Sequence, residues 1–110
     1  MRAPRFAHRS EEELAQLLDF YRVDWRYEPR CFPIARDRHG NVVESFTPDF
    51  YLPEFDLYLE VTVLRPRLQT RKNRKLRLLR ATHPGINVKL FTRRDVERLF
   101  SRLAPRSAAG

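Results

Sequence analysis

The stretch that most constrains this chain is DLYLEVTV, residues 56–63. Apolar and polar side chains alternate along it. Leu57, Leu59, Val61 and Val63 fall on one side of a strand, while Asp56, Tyr58, Glu60 and Thr62 fall on the other. A basic segment follows, with leucines at helical spacing, and predicts a helix over 68–82 closed by His83-Pro84-Gly85. INVKLF, residues 86–91, then reads as a strand of the buried type. Strand, helix and strand in this order require a crossover, which sets 56–63 and 86–91 parallel with a right-handed connection. The expected fold class is therefore α/β (mixed α+β), a central mixed four-stranded sheet flanked by helices.

Upstream, residues 10–22 predict a helix. Ser10 is placed to cap it, Glu13 completes a capping box, and Leu14, Leu17, Leu18 and Tyr21 form its apolar stripe. WRYEP (25–29) reads as a short strand stopped by Pro29. CFPIARD (31–37) and VVESF (42–46) flank RHGN, where Gly40-Asn41 can supply the positive φ of a hairpin turn. FTPDFYLP extends or resumes the second of these strands, with Pro48 marking an edge or bulge. A last helix over 93–103 would bury Val96, Leu99, Phe100 and Leu103. The element order is then α-β-β-β-α-β-α, in one domain over 10–104, with loose segments at 1–9 and 105–110. A chain of 110 residues supports one modest core.

Charge is unevenly distributed. The chain has 22 Lys and Arg against 14 Asp and Glu, and residues 65–80 hold eight of those cations and no acid. Fourteen cations and fourteen acids remain elsewhere, so the whole excess lies in one segment. A concentrated basic element suits a phosphate-rich partner, with Arg65, Arg67, Arg71, Arg74 and Arg77 as backbone-binding candidates. A solvated arginine-rich face is the structural alternative. No run approaches the roughly 20 apolar residues of a membrane span, and the N-terminus has no apolar signal core. A single cysteine, Cys31, fits a reducing cytoplasm, and the three scattered histidines make no zinc spacing.

Asp49 and Glu60 stand out because they sit inside the most apolar, most strand-like part of the chain. Adjacent antiparallel strands lie roughly 4.8 Å apart, so the two carboxylates can converge if the register allows. Converging carboxylates repel unless a cation intervenes, and Mg²⁺ is suited to one or two carboxylates together with phosphate oxygens. The structural alternative has Asp49 bonding backbone amides in a turn and Glu60 pairing with the basic helix. On that helix, at about 100° per residue from Leu68, Lys72 falls near 40° and Lys75 near −20°, on the stripe that also carries Leu76 and Leu79. An inward ammonium needs a buried carboxylate or a bound anion. Tyr51 and Tyr58 share strand faces with the acids, and could stack on bases or simply pack. Trp25, Phe46 and Phe50 read as core.

The pattern TPDF…YLEVT, with Pro48-Asp49 and Glu60-Val61-Thr62 on successive strands, resembles the PD-(D/E)xK nuclease superfamily, which has the restriction-endonuclease-like fold. The resemblance spans roughly residues 10–92 and includes the element order. It implies metal-dependent hydrolysis of phosphodiester bonds, with Mg²⁺ (or Mn²⁺) held by Asp49, Glu60 and the backbone carbonyl of Val61. The glutamate that many members carry at the start of the first helix maps to Glu11, with Glu13 as the alternative. The lysine expected two residues after the second acid is Thr62 here. Lys72 or Lys75 is the candidate for a lysine moved to a neighbouring element. The resemblance thus implies a DNA endonuclease of resolvase-like or repair type. A monomer of this size offers little surface to grip a duplex, which suits a homodimer. The alternative is a nucleic-acid-binding or accessory domain that keeps the fold without catalysis; a toxin-like or RNA-directed nuclease is a third option.

Overall fold

The computed structural model of the chain describes residues 5–62, 66–92, 94–95 and 97–98. Most of the expected C-terminal helix, the tail and Arg65 lie outside the described residues. Helix α1 (Arg9–Phe20) is followed by β1 (Arg26–Tyr27), β2 (Phe32–Arg36), β3 (Val42–Phe46), β4 (Phe50–Leu52), β5 (Leu57–Val61), α2 (Pro66–Thr82) and β6 (Val88–Phe91). The fold is mixed α+β. A four-stranded sheet runs in the order β1-β4-β5-β6, and β2 and β3 pair separately. The β5–β6 pair is parallel, as the crossover demands, with Tyr58 opposite Val88 and Glu60 opposite Leu90. No helix among the described residues is long and apolar enough to cross a membrane.

The alternation in β5 decides the layering. Leu59 and Val61 join Phe50 and Leu52 beneath Leu14, Ala15 and Leu18 of α1. Tyr58 points the other way, into a second cluster with Leu76 and Leu79 of α2, Val88, and Phe32, Ile34 and Phe46 of the hairpin. The sheet is thus covered on both faces, as parallel pairing requires. Glu60 and Thr62 share the Tyr58 face, and both are buried.

Three expectations about the strands change. Five strands, not three, lie between the helices among the described residues. The hairpin does not join the central sheet, because Phe32, Ile34 and Phe46 are buried against α2 instead. Residues 46–53 do not form one strand. The chain leaves β3 at Phe46, passes the fully buried Pro48, which has no N–H to give a ladder, and re-enters pairing at Phe50 in the other sheet. In the hairpin turn only Gly40 has positive φ (85°). The Asp37 carboxylate closes that turn by accepting from the N–H of His39 (2.8 Å) and of Asn41 (3.0 Å), which holds its pKa below the usual carboxylate range.

The ends of α1 also differ from expectation. His8 is the N-cap, with extended backbone and no side-chain cap, so Ser10 lies inside the helix. Glu13 pairs with Arg9 one turn earlier, at 3.4 Å. The helix stops at Phe20. Arg22 takes the left-handed conformation (φ 57°) and Val23 N–H returns to the Leu18 carbonyl at 2.9 Å, a Schellman-type stop made without glycine. Ahead of the helix, Phe6 packs edge-on to Tyr27 with ring centroids 4.8 Å apart, tying down a segment the composition suggests is loose.

Candidate nuclease site

The β4–β5 register pairs Phe50 with Leu59 and Tyr51 with Tyr58. Continuing it by one residue sets Asp49 opposite Glu60, both on the α2 face of the sheet. The four-residue link Pro53–Asp56, with Asp56 in the left-handed region (φ 46°), fixes that register. The two acids are 8% and 6% exposed. They are bound to each other and to the backbone. Asp49 N–H donates to Glu60 Oε1 (3.2 Å) and Val61 N–H donates to Asp49 Oδ2 (2.8 Å).

The cation opposite them is Lys72. Its Nζ lies 3.1 Å from Glu60 Oε2 and donates to the Val61 carbonyl. The other lysine on the inward stripe is not in the site. Lys75 is half-buried one turn further along α2 and acts electrostatically on Glu44 of β3. Two carboxylates therefore face one ammonium. Burial and the neighbouring Glu60 charge push the Asp49 carboxyl up to about 8. Burial also raises Glu60, opposed by Lys72 and by its hydrogen bonds. At neutral pH Asp49 retains a proton that a carboxyl in water would release.

Glu11 is buried at the start of α1, and its charge adds to the upward push on Asp49. Its Oε1 accepts a hydrogen bond from the Tyr27 hydroxyl, which in turn accepts from Ala7 N–H at 3.0 Å. Burial and this bond push the Tyr27 hydroxyl up to about 12. Tyr27 is a site residue that the sequence reading missed, because a two-residue strand has no visible period. The next residue, Glu28, donates its N–H to the Asp49 carbonyl at 2.8 Å. Glu11, Val61 and Lys72 line a cleft of about 530 Å³ with His8, Arg9, Ser10 and Leu68.

Other candidates fall elsewhere. Thr62 is buried, and its N–H extends the ladder to the Phe91 carbonyl at 2.9 Å. Tyr51 and Tyr58 pack on each other with centroids 4.5 Å apart, and Tyr51 donates to Asp56 at 2.8 Å, so both serve packing. Arg67, Arg71 and Arg77 are exposed on α2. Arg74 is engaged by Glu44 through two hydrogen bonds of 2.8 and 3.2 Å, which ties α2 to the hairpin.

No group of three or more His, Cys, Asp or Glu side chains among the described residues is arranged to hold a metal. The available donor set is two carboxylates and a main-chain carbonyl. These are hard oxygens, and once Asp49 gives up its proton they carry more negative charge than Lys72 offsets; in both respects they fit a small divalent cation. Comparison of the chain with protein-family models, with curated proteins and with solved structures finds no match.

Proposed function

We propose that the chain is a divalent-metal-dependent endonuclease of the PD-(D/E)xK type, with its restriction-endonuclease-like arrangement, acting on DNA in a resolvase-like or repair role. One observation carries the reading. Two buried carboxylates, Asp49 just ahead of β4 and Glu60 on β5, meet one step beyond the β4–β5 ladder, with an ammonium from the next helix 3.1 Å from one of them. Asp49, Glu60 and the Val61 carbonyl would hold Mg²⁺ (or Mn²⁺). Bound there, the metal supplies Lewis acidity toward a phosphodiester oxygen.

The chain's own residues supply the rest. Lys72 carries a compact charge able to neutralise a phosphate, taking from α2 the part that Thr62 cannot play. Tyr27 fixes Glu11 at the cleft wall. Arg65, Arg67, Arg71 and Arg77 would hold backbone phosphates, with Arg74 shared with Glu44. A homodimer would widen the small footprint of one domain on a duplex, and a cytoplasmic setting suits the lone cysteine.

A specific observation favours a second reading, a nucleic-acid-binding domain without catalysis. Both acids already have structural partners, Asp49 in the Val61 N–H and Glu60 in Lys72. Incubation with plasmid, branched and single-stranded DNA and with RNA, plus Mg²⁺ or Mn²⁺, separates the two. The nuclease reading expects cleavage that Asp49→Ala and Glu60→Ala abolish. Cleavage surviving both substitutions refutes the assigned site. Salt-sensitive binding with no cleavage under either metal establishes the second reading.

A further inference from the structure

We infer that Lys72 is the resident cation of this site and competes with the divalent metal, so that metal entry expels its ammonium into the adjoining cleft. The inference rests on the metal reading above and concerns how that site is controlled. Lys72 Nζ engages Glu60 Oε2 and the Val61 carbonyl, which belong to two of the three groups assigned to the metal. Magnesium binds oxygen at about 2.1 Å. An ion in reach of both oxygens therefore sits within a few ångströms of an ammonium left in place, and the two positive charges repel in a poorly solvated pocket. Lone pairs aimed at N–H donors are also not available for coordination.

The lysine has somewhere to go. Its side chain is 26% exposed and already lines the 530 Å³ cleft with His8, Ser10 and Glu11. Rotation about its flexible stem would carry the ammonium further into that cleft, whose wall includes Glu11. A phosphate entering the cleft would meet the expelled charge, so metal and nucleic acid would each favour the binding of the other. In the absence of metal, the same lysine holds Glu60 neutralised.

Calorimetric titration of Mg²⁺ and Mn²⁺ into the nucleic-acid-free full chain tests this, using wild type, Lys72→Met and Asp49→Asn. The exchange expects Lys72→Met to bind metal roughly tenfold tighter than wild type and Asp49→Asn to bind more weakly. Equal or weaker binding by Lys72→Met overturns the exchange while leaving the metal reading standing. No binding by wild type or Lys72→Met overturns the metal reading itself. A second measurement needs no variant fold. The chain has three lysines, Lys72, Lys75 and Lys89, and reductive ¹³C-methylation, which keeps their charge, gives each an NMR signal. Metal should shift the Lys72 signal and leave the other two in place. A wild type that binds metal with all three signals unmoved refutes the exchange.

Discussion

Replacing Asp49 by asparagine should make the metal-free protein more stable at neutral pH. Asp49 has a carboxyl pushed up to about 8 by burial and by Glu60, against about 3.9 in an unfolded chain. The folded state therefore binds more protons than the unfolded state between about pH 4 and pH 8. Stability from this group is fully present below pH 4 and is lost as pH rises through 8. At pH 7 the unfolded carboxyl is ionised while the folded one is mostly not, a penalty of about 4 kcal/mol at about 1.4 kcal/mol per pH unit over three units. Asparagine has no such titration. Its amide oxygen can still accept from Val61 N–H and its NH₂ can donate to Glu60, although imperfect fit trims the gain. We expect about 2 kcal/mol at pH 7, which for a domain of this size raises Tm by roughly 10 °C. Circular-dichroism melts of wild type and Asp49→Asn in EDTA from pH 4 to pH 8 measure it, and taking the difference cancels the titrating groups remote from Asp49, leaving the Asp49–Glu60 pair. The gain should vanish near pH 4 and grow toward pH 8, and millimolar Mg²⁺ should raise the Tm of wild type more than that of the variant. A variant less stable than wild type at pH 7, or a difference independent of pH, would refute the reasoning.

Glu60→Gln should act in the opposite direction, destabilising by about 1–3 kcal/mol because the half-buried Lys72 ammonium loses its carboxylate; urea unfolding reads this. Arg22→Gly should stabilise by about 0.5–1 kcal/mol, since Arg22 closes α1 at φ 57° where glycine carries no Cβ clash. The same urea titration decides, and a loss of stability would show that the Arg22 side chain matters more than its backbone. Arg67→Gln with Arg71→Gln should weaken binding to all duplexes and lower the salt slope by about 1–2. Fluorescence anisotropy across a salt series checks this, and an unchanged slope would remove α2 from the interface.

The parts of this architecture legible in the chain are those with a period or a fixed connection. Alternation in residues 57–61 assigned β5 its two faces, and the crossover through a basic helix set β6 parallel. The convergence of Asp49 and Glu60 was legible only as a condition on register, which the left-handed Asp56 and the short turn before it satisfy. Helical angle placed both Lys72 and Lys75 inward. It could not choose between them, because the difference lies along the axis: about 4.5 Å of rise carries Lys75 toward the hairpin and Glu44. The departure of β2 and β3 from the central sheet was not legible at all. Their apolar pattern fits a fifth and sixth strand as well as a cover for α2, and the choice is made by where Phe32 and Phe46 find depth. Tyr27 eluded sequence reasoning for a related reason, since its partner Glu11 is sixteen residues away on another element.

The two acids also end the β4–β5 ladder. Beyond Phe50 and Leu59, Val61 N–H goes to the Asp49 carboxylate and Asp49 N–H to Glu60, where further strand pairing would otherwise supply partners. Strand termination explains polar side chains at these positions but not their charge. Asparagine and glutamine could satisfy the same two amides, and among the described residues no buried side-chain nitrogen or oxygen lacks a partner. Hydrogen bonding is complete here while charge is not: two buried carboxylates face one ammonium, and Asp49 resolves the excess by keeping a proton. A site built for stability alone has no use for that second carboxyl, because it costs stability at every pH where the unfolded chain ionises it. A site that must accept a further cation does have a use for it, and this asymmetry is what the metal-dependent proposal accounts for and strand capping does not.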